Sequence, residues 1–88
     1  MTKTNFTLIR ELDAKYTPQN RGILSFQEVS LIKETLQLED ATELELRNMR
    51  DFVVAYLGNK DDNAVTWDKM SAITNVIDTV LFVKGYGV

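Results

Sequence analysis

The chain contains no cysteine and no histidine among its 88 residues. These two absences exclude disulfides, Cys/His zinc sites, thiol nucleophiles, imidazole bases and histidine-containing triads, on which most enzyme mechanisms depend. A mechanism that uses only carboxylates stays open, but no motif in the chain supports one. The sequence therefore predicts a protein that is not an enzyme and that holds no cofactor, no metal ion and no small-molecule substrate.

Long apolar runs are also missing. No window approaches the run of about 18 apolar residues that a membrane span needs, and the opening letters MTKTN lack the apolar stretch of a signal peptide. Apolar residues make up 44% and charged residues 26% of the chain, which is ordinary for a folded soluble domain. Together with the lack of cysteine, which suits a reducing compartment, these features predict a cytoplasmic protein with no membrane partner.

Apolar residues recur at helical spacing in four parts of the chain. We expect helices at about 5–16, 26–38, 41–57 and 67–84. Pro18 ends the first, because the residue before a proline is disfavoured in the α conformation, and the polar letters NKDDNA separate the third from the fourth. The predicted fold class is all-α: a small four-helix domain over residues 1–88, built as two helix-loop-helix units around the fourth helix.

Capping residues mark the expected helix starts. Ser25 and Glu28 form a capping box before helix two, in which each side chain accepts a hydrogen bond from the backbone N–H of the other. Asp40 and Glu43 repeat this pattern before helix three, and Thr66 is the expected cap of helix four.

Apolar stripes and glycines complete the description of the helices. Helix four is apolar over about half its circumference, which predicts a central position. The stripe of helix two that we expect to face the core consists of Phe26, Val29, Ile32 and Leu36. Gly58 and Gly85 stand where a left-handed residue would end helices three and four.

The starts of helices two and four are similar in sequence. LSFQEV at 24–29 and VTWDKM at 65–70 share the order aliphatic, hydroxyl, aromatic, acid or amide, charged, apolar, and each follows a helix and a polar loop. Two such units resemble a paired EF-hand domain. If Gly22 is the invariant glycine of the first loop, Glu28 falls at the twelfth position, where that family holds calcium with a bidentate glutamate.

The other ligand positions do not suit calcium. Thr17, Gln19 and Arg21 occupy the first, third and fifth positions of the first loop, where the EF-hand family needs carboxylates or short oxygen-bearing side chains. No register of the second loop yields a complete site either. The alternative that the resemblance leaves open is a degenerate EF-hand-like scaffold or weak cation sensor, with short strands around 23–25 and 64–66 that pair between the loops.

Six large apolar residues fall outside the main stripes of their helices. They are Leu31 and Leu38 on helix two, Leu44 and Val54 on helix three, and Trp67 and Phe82 on helix four. Because so small a domain cannot bury every apolar side chain, we expect these residues to bind another protein or a second copy of the chain. The alternative for Trp67 and Phe82 is that they pack over the bundle end and under the C-terminal tail. The predicted function is that of a small non-catalytic interaction or regulatory module.

A second alternative is a small nucleic-acid-associated regulator. Helices two and three, joined by a short turn, could form a helix-turn-helix in which Arg47 and Arg50 approach DNA. The recognition helix would, however, open with Glu43 and Glu45, which repel phosphates. The net charge is −3, and the ten basic residues are scattered instead of forming a stripe. This charge layout argues against nucleic acid as a partner.

Overall fold

The structure, a computed structural model, describes residues 4–19, 23–60 and 63–86. In these ranges the chain forms a compact domain of four α-helices without β-strands. The helices are α1 (Asn5–Lys15), α2 (Phe26–Leu36), α3 (Glu43–Gly58) and α4 (Ala64–Val83), with a 3₁₀ turn at Leu38–Asp40 between α2 and α3. The prediction of an all-α four-helix domain is confirmed.

The core is built around α4. This helix packs most extensively against α3 and also contacts α2 and the 3₁₀ turn. Its buried apolar residues are Ala72, Ile73, Val76, Ile77, Val80 and Leu81. Full burial of one large aliphatic side chain stabilises the fold by about 1.5–3 kcal/mol relative to exposure. Among the described helices, none combines the length and the apolar character that a bilayer crossing requires.

The packing does not divide the chain into two separate halves. α1 contacts α2 and contacts α3 to a similar extent, while α2 also contacts α4. The α1–α3 and α2–α4 contacts therefore join the two proposed units, and the packing does not separate one unit from the other. The arrangement as two helix-loop-helix units stays a prediction.

α2 begins as predicted but presents a different face to the core. Ser25 and Glu28 form the expected capping box, with both N–H···O distances at 3.2 Å. Glu28 is only 4% exposed, whereas Phe26, expected in the core stripe, is 82% exposed. The buried face is centred close to Ile32 and lies roughly 70° from the predicted one, at about 100° per residue. Ile32 and Leu36 of the predicted stripe are buried and Val29 packs against the core, so the prediction was wrong for Phe26, whose place on the buried face is taken by Glu28.

α3 begins two residues later than the sequence indicated. Its capping box is formed by Thr42 and Glu45: the Glu45 N–H donates to Thr42 Oγ1 at 3.1 Å, and the Thr42 N–H donates to Glu45 Oε1 at 2.9 Å. The predicted box of Asp40 and Glu43 was wrong, because Asp40 lies in the 3₁₀ turn and does not take the extended conformation of a cap.

α4 begins three residues before the predicted start, with Asn63 as its cap. The Thr66 N–H donates to Asn63 Oδ1 at 2.9 Å, so Thr66, the predicted cap, lies inside the first turn. The strand suggested at 64–66 was wrong, because these residues are helical.

The two glycines expected to end helices behave differently. Gly85 has φ +84° and follows the end of α4, as predicted. Gly58 is instead the last residue of α3, and Asn59, with φ −107°, follows it as the C-cap. The left-handed conformation predicted for Gly58 was therefore wrong. Gln37, with φ 55°, takes that conformation and ends α2 at Leu36, two residues earlier than expected.

Candidate functional site

An apolar groove lies between α2 and the C-terminal half of α4. It has a volume of about 340 Å³. Its lining, apart from Asn75 and three charged residues, consists of Leu24, Val29, Val76, Thr79, Val80 and Val83. The charged residues are Lys33, Glu39 and Lys84. We call this concavity the α2–α4 groove.

Short side chains of α4 line the inner part of the groove. Val76 and Val80 are buried and line it. Leu24 and Val29, placed to form a hydrophobic staple across the start of α2, are partly buried and pack against the core. The floor of the groove is thus continuous with the core. Its mouth opens to solvent beside Val83.

Phe26 and Val83 present apolar surface to solvent on this side of the molecule. Phe26 is 82% exposed and Val83 76% exposed, the highest values among the large apolar residues that the structure describes. Val83 lines the groove, and Phe26 lines a second depression of about 480 Å³ that shares Val29 and Lys33 with it. Exposed apolar side chains next to an apolar concavity are typical of a binding surface.

The second depression carries an excess of negative charge. Its lining consists of Phe26, Val29, Ser30, Lys33, Glu34, Gln37, Glu39 and Asp40. Lys33 Nζ lies 3.3 Å from Glu39 Oε1, so these two charges offset each other. Glu34 and Asp40 are exposed, and neither forms an ion pair with another described residue. We call this part of the surface the acidic depression.

Lys84 connects α4 to the 3₁₀ turn. Its Nζ donates to the backbone oxygen of Glu39 at 2.6 Å and to that of Ala41 at 3.0 Å. These bonds satisfy carbonyl groups at the end of the turn with a charged donor. They also fix the position of α4 relative to the turn that lines both concavities.

A buried hydrogen-bond network closes the loop before α2. Tyr16 Oη donates to Glu28 Oε2 at 2.7 Å, and the Gln19 N–H donates to the same oxygen at 3.5 Å. Burial raises the pKa of Glu28, but the hydrogen bonds from Tyr16, Ser25 and Gln19 outweigh it, so this pKa lies below its ordinary value. Burial, followed by the nearby carboxylate, raises the pKa of the Tyr16 hydroxyl. Both side chains form hydrogen bonds within the domain, so their shifted pKa values have a structural cause.

This network bears on the EF-hand resemblance. Glu28 stands at the position where an EF-hand glutamate binds calcium. Here it accepts hydrogen bonds from the Tyr16 hydroxyl and the Ser25 N–H. In the part of the chain that the structure describes, no three metal-binding side chains come together. Arg21 and Gly22, which belong to the proposed ligand frame, lie outside the described residues. The EF-hand-like arrangement stays a prediction.

A second polar cluster links α1, α3 and α4 through Asp13. Lys69 Nζ lies 2.9 Å from Asp13 Oδ1 and donates to its backbone oxygen at 3.1 Å, while Lys60 Nζ lies 2.5 Å from Oδ2. Tyr56 Oη also donates to Oδ2, at 3.3 Å. Burial raises the pKa of Asp13, but the two lysines outweigh it and hold this pKa below its ordinary value. The cluster ties three helices together at the end of the domain.

Four of the predicted partner-binding residues are exposed. They are Leu44, Val54, Trp67 and Phe82. Trp67 and Phe82 lie on one side of α4, about 22 Å apart along its axis at 1.5 Å per residue. None of the four lines the α2–α4 groove. Their role in binding stays a prediction.

The other two predicted partner-binding residues are not free on the surface. Leu38 is fully buried, so the expectation that it is available to a partner was wrong. The left-handed Gln37 turns the chain before Leu38 and places it in the 3₁₀ turn against the core. Leu31 is partly buried and packs against the same core.

The arginines of the nucleic-acid alternative are paired with carboxylates. Arg47 Nε lies 2.9 Å from Glu43 Oε2, and Arg50 Nε lies 2.8 Å from Asp78 Oδ1. Phosphates would have to compete with these carboxylates for the guanidinium groups. The geometry therefore adds no support to a nucleic-acid role.

Sequence reasoning did not single out the groove. Val76, Val80 and Val83 belong to the broad apolar arc of α4, which by itself predicts burial. The available signal was the width of that arc. Two neighbouring helices do not cover an apolar arc that spans half the circumference of a third helix, so part of it stays uncovered. The position of the uncovered part depends on how α2 approaches α4.

Comparison of the chain with models of protein families, with curated proteins and with solved structures gave no match.

Proposed function

We propose that the chain is a small non-catalytic binding module that acts in the cytoplasm and regulates another protein by docking on it through the α2–α4 groove. The observation that carries the proposal is the exposure of Phe26 and Val83 beside a formed apolar groove. Apolar side chains of a partner would remove these residues from water, with a gain of about 25 cal/mol per Å² of apolar surface.

The polar groups of the chain support binding over catalysis. Asp13, Tyr16 and Glu28 have shifted pKa values, which often mark active sites. Each of the three is hydrogen-bonded within the fold, and none lines the α2–α4 groove. Over the described ranges, no buried side-chain nitrogen or oxygen lacks a hydrogen-bond partner. Among the described side chains, none is left as an unpaired buried polar group that would indicate where a substrate is held.

A neutral amphipathic peptide provides a test. The probe is a synthetic peptide of about 18 residues, long enough to be helical when bound, with a leucine stripe and a glutamine-rich opposite face. Titrated into isotope-labelled protein, it should shift amide NMR signals at 24–29 and 76–83 and leave those of α1 in place. Shifts that avoid the groove would contradict the proposal.

Val83→Ser and Phe82→Ser form a matched pair of variants. Both residues are exposed on the last turn of α4, at 76% and 71%, and only Val83 lines the groove. Val83→Ser should weaken peptide binding about fivefold, which corresponds to the loss of roughly 1 kcal/mol of apolar contact. Phe82→Ser should leave the affinity unchanged. An equal loss in both variants would mean that the peptide binds elsewhere on α4.

A further inference from the structure

We infer that the α2–α4 groove binds an amphipathic helix of a partner protein whose apolar stripe is flanked by lysine or arginine side chains. The inference rests on the proposed function, because it names the class of occupant for the same groove. Three features of the surface support it: the row of apolar residues, the placement of the charges and the poor fit of a second copy.

The apolar wall of α4 matches one face of a helix. Val76, Thr79, Val80 and Val83 follow one another at i, i+3, i+4 and i+7, which gives a row about 10 Å long. The Thr79 hydroxyl donates to the Asn75 carbonyl at 2.8 Å, so it needs no polar partner from an occupant. Leu24 and Val29 line the α2 side. A helix laid in such a groove inserts its own apolar residues at the same spacing.

The charges are unevenly placed along this surface. The acidic depression meets the groove at Val29, Lys33 and Glu39. Lys33 offsets Glu39, which leaves the exposed carboxylates of Glu34 and Asp40 to face an occupant. Lys84 places a positive charge on the other side, where backbone carbonyls hold it. The cations of the occupant should therefore lie over the acidic depression, where opposite charges attract.

A second copy of the chain fits this site poorly. The chain has a net charge of −3. A dimer across the groove would bring two chains of this same negative net charge face to face. Like charges placed in this way repel. A separate, basic partner avoids that repulsion.

Three synthetic helices with one leucine stripe test the inference. Their opposite faces carry lysine, glutamine or glutamate. At low salt the lysine peptide should bind about five- to tenfold more tightly than the glutamine peptide, the amount that two exposed ion pairs provide, and the glutamate peptide should bind most weakly. The lysine advantage should shrink as salt rises to about 0.5 M, because salt screens exposed charges.

The double variant Glu34→Gln/Asp40→Asn locates the effect. It should abolish the lysine advantage and leave the dissociation constant of the glutamine peptide unchanged. Asp51→Asn is the matched control, because Asp51 is an exposed acid on α3 that lines neither concavity. In that control the lysine advantage should persist.

The outcomes separate this inference from the proposed function. Equal binding of the lysine and glutamine peptides at the groove would overturn the inference and leave the proposed function in place. A lysine advantage that survives Glu34→Gln/Asp40→Asn would also overturn it. If light scattering shows a dimer and the amide NMR signals of the groove change as the dimer dissociates on dilution, the occupant is a second copy and the inference is wrong. If none of the peptides shifts groove signals, the proposed function fails as well.

Discussion

The sequence segments at the starts of α2 and α4 are similar, but they take up different positions in the structure. In LSFQEV, Ser25 is the cap of α2 and Glu28 is its reciprocal partner. VTWDKM lies wholly inside α4, whose cap is Asn63. The shared letters therefore stand at different positions relative to the start of the helix. A hydroxyl residue is a cap only where its own backbone is extended, and the letters alone do not decide that.

Different interactions also hold the loop before α2, here the first loop, and the loop before α4, here the second loop. The loop before α2 is closed by the buried carboxylate of Glu28, which accepts a hydrogen bond from the Tyr16 hydroxyl. Beside the loop before α4, Lys60 and Lys69 both reach Asp13 of α1. The Tyr16–Glu28 hydrogen bond is buried, whereas Lys60, one of the two cations paired with Asp13, is 43% exposed, so solvent weakens its ion pair. The first loop should therefore be the more sensitive of the two to substitution.

Glu28→Ala should have the largest effect on stability. It removes half of the capping box and leaves the Tyr16 hydroxyl buried without its acceptor. We expect the free energy of unfolding to fall by about 3 kcal/mol. Urea unfolding at unchanged m-value measures this loss. Glu34→Ala is the matched control, because this exposed glutamate of the same helix should contribute less than about 0.5 kcal/mol.

Tyr16→Phe isolates the buried hydrogen bond from the cap. The ring stays in the core while the hydroxyl is lost, and we expect a cost of about 1.5–3 kcal/mol because the acceptor is charged. Glu28 keeps its bonds to the Ser25 backbone in this variant. If Tyr16→Phe unfolds at the same urea concentration as the parent chain, the Tyr16–Glu28 contact does not stabilise the first loop.

Asp13→Asn tests the second loop and should cost less, about 1–2 kcal/mol. Of its two lysine partners, Lys69 should matter more, because its side chain is 13% exposed and bonds Asp13 twice, whereas that of Lys60 is 43% exposed. We expect Lys69→Met to destabilise more than Lys60→Met in the same urea assay. A loss for Asp13→Asn as large as that for Glu28→Ala would remove the contrast between the loops.

Acid should weaken both loops. The pKa values of Glu28 and Asp13 lie below their ordinary values in the folded chain. Their stabilisation is therefore complete above the unfolded-state values of about 4.3 and 3.9, and it is lost as pH falls through the lower folded-state values. Unfolding free energies should decline below about pH 4. In Glu28→Gln the decline should be shallower; parallel curves would show that Glu28 does not contribute to it.

The helices could be predicted because helical spacing depends on residues within one segment. The buried face of α2 could not, since Glu28 points inward only because Tyr16, at the end of another helix, supplies a donor. The exposure of Phe26 follows from the same rotation. The candidate site was therefore only partly predictable: the broad arc of α4 indicates surplus apolar surface, but the approach of α2 decides that Val80 and Val83 line a groove.

The smallest expected effect concerns the start of the second loop. Gly58 has no positive φ, and an added Cβ would lie 3.9 Å from Met70 Sδ, an ordinary contact. Gly58→Ala should therefore stabilise the chain by about 0.5 kcal/mol, because alanine has less backbone freedom to lose. Gly85→Ala, at φ +84°, should instead destabilise by about 1 kcal/mol. Thermal unfolding midpoints should move in opposite directions. If both midpoints fall, alanine is not tolerated at Gly58, and the start of the second loop requires glycine.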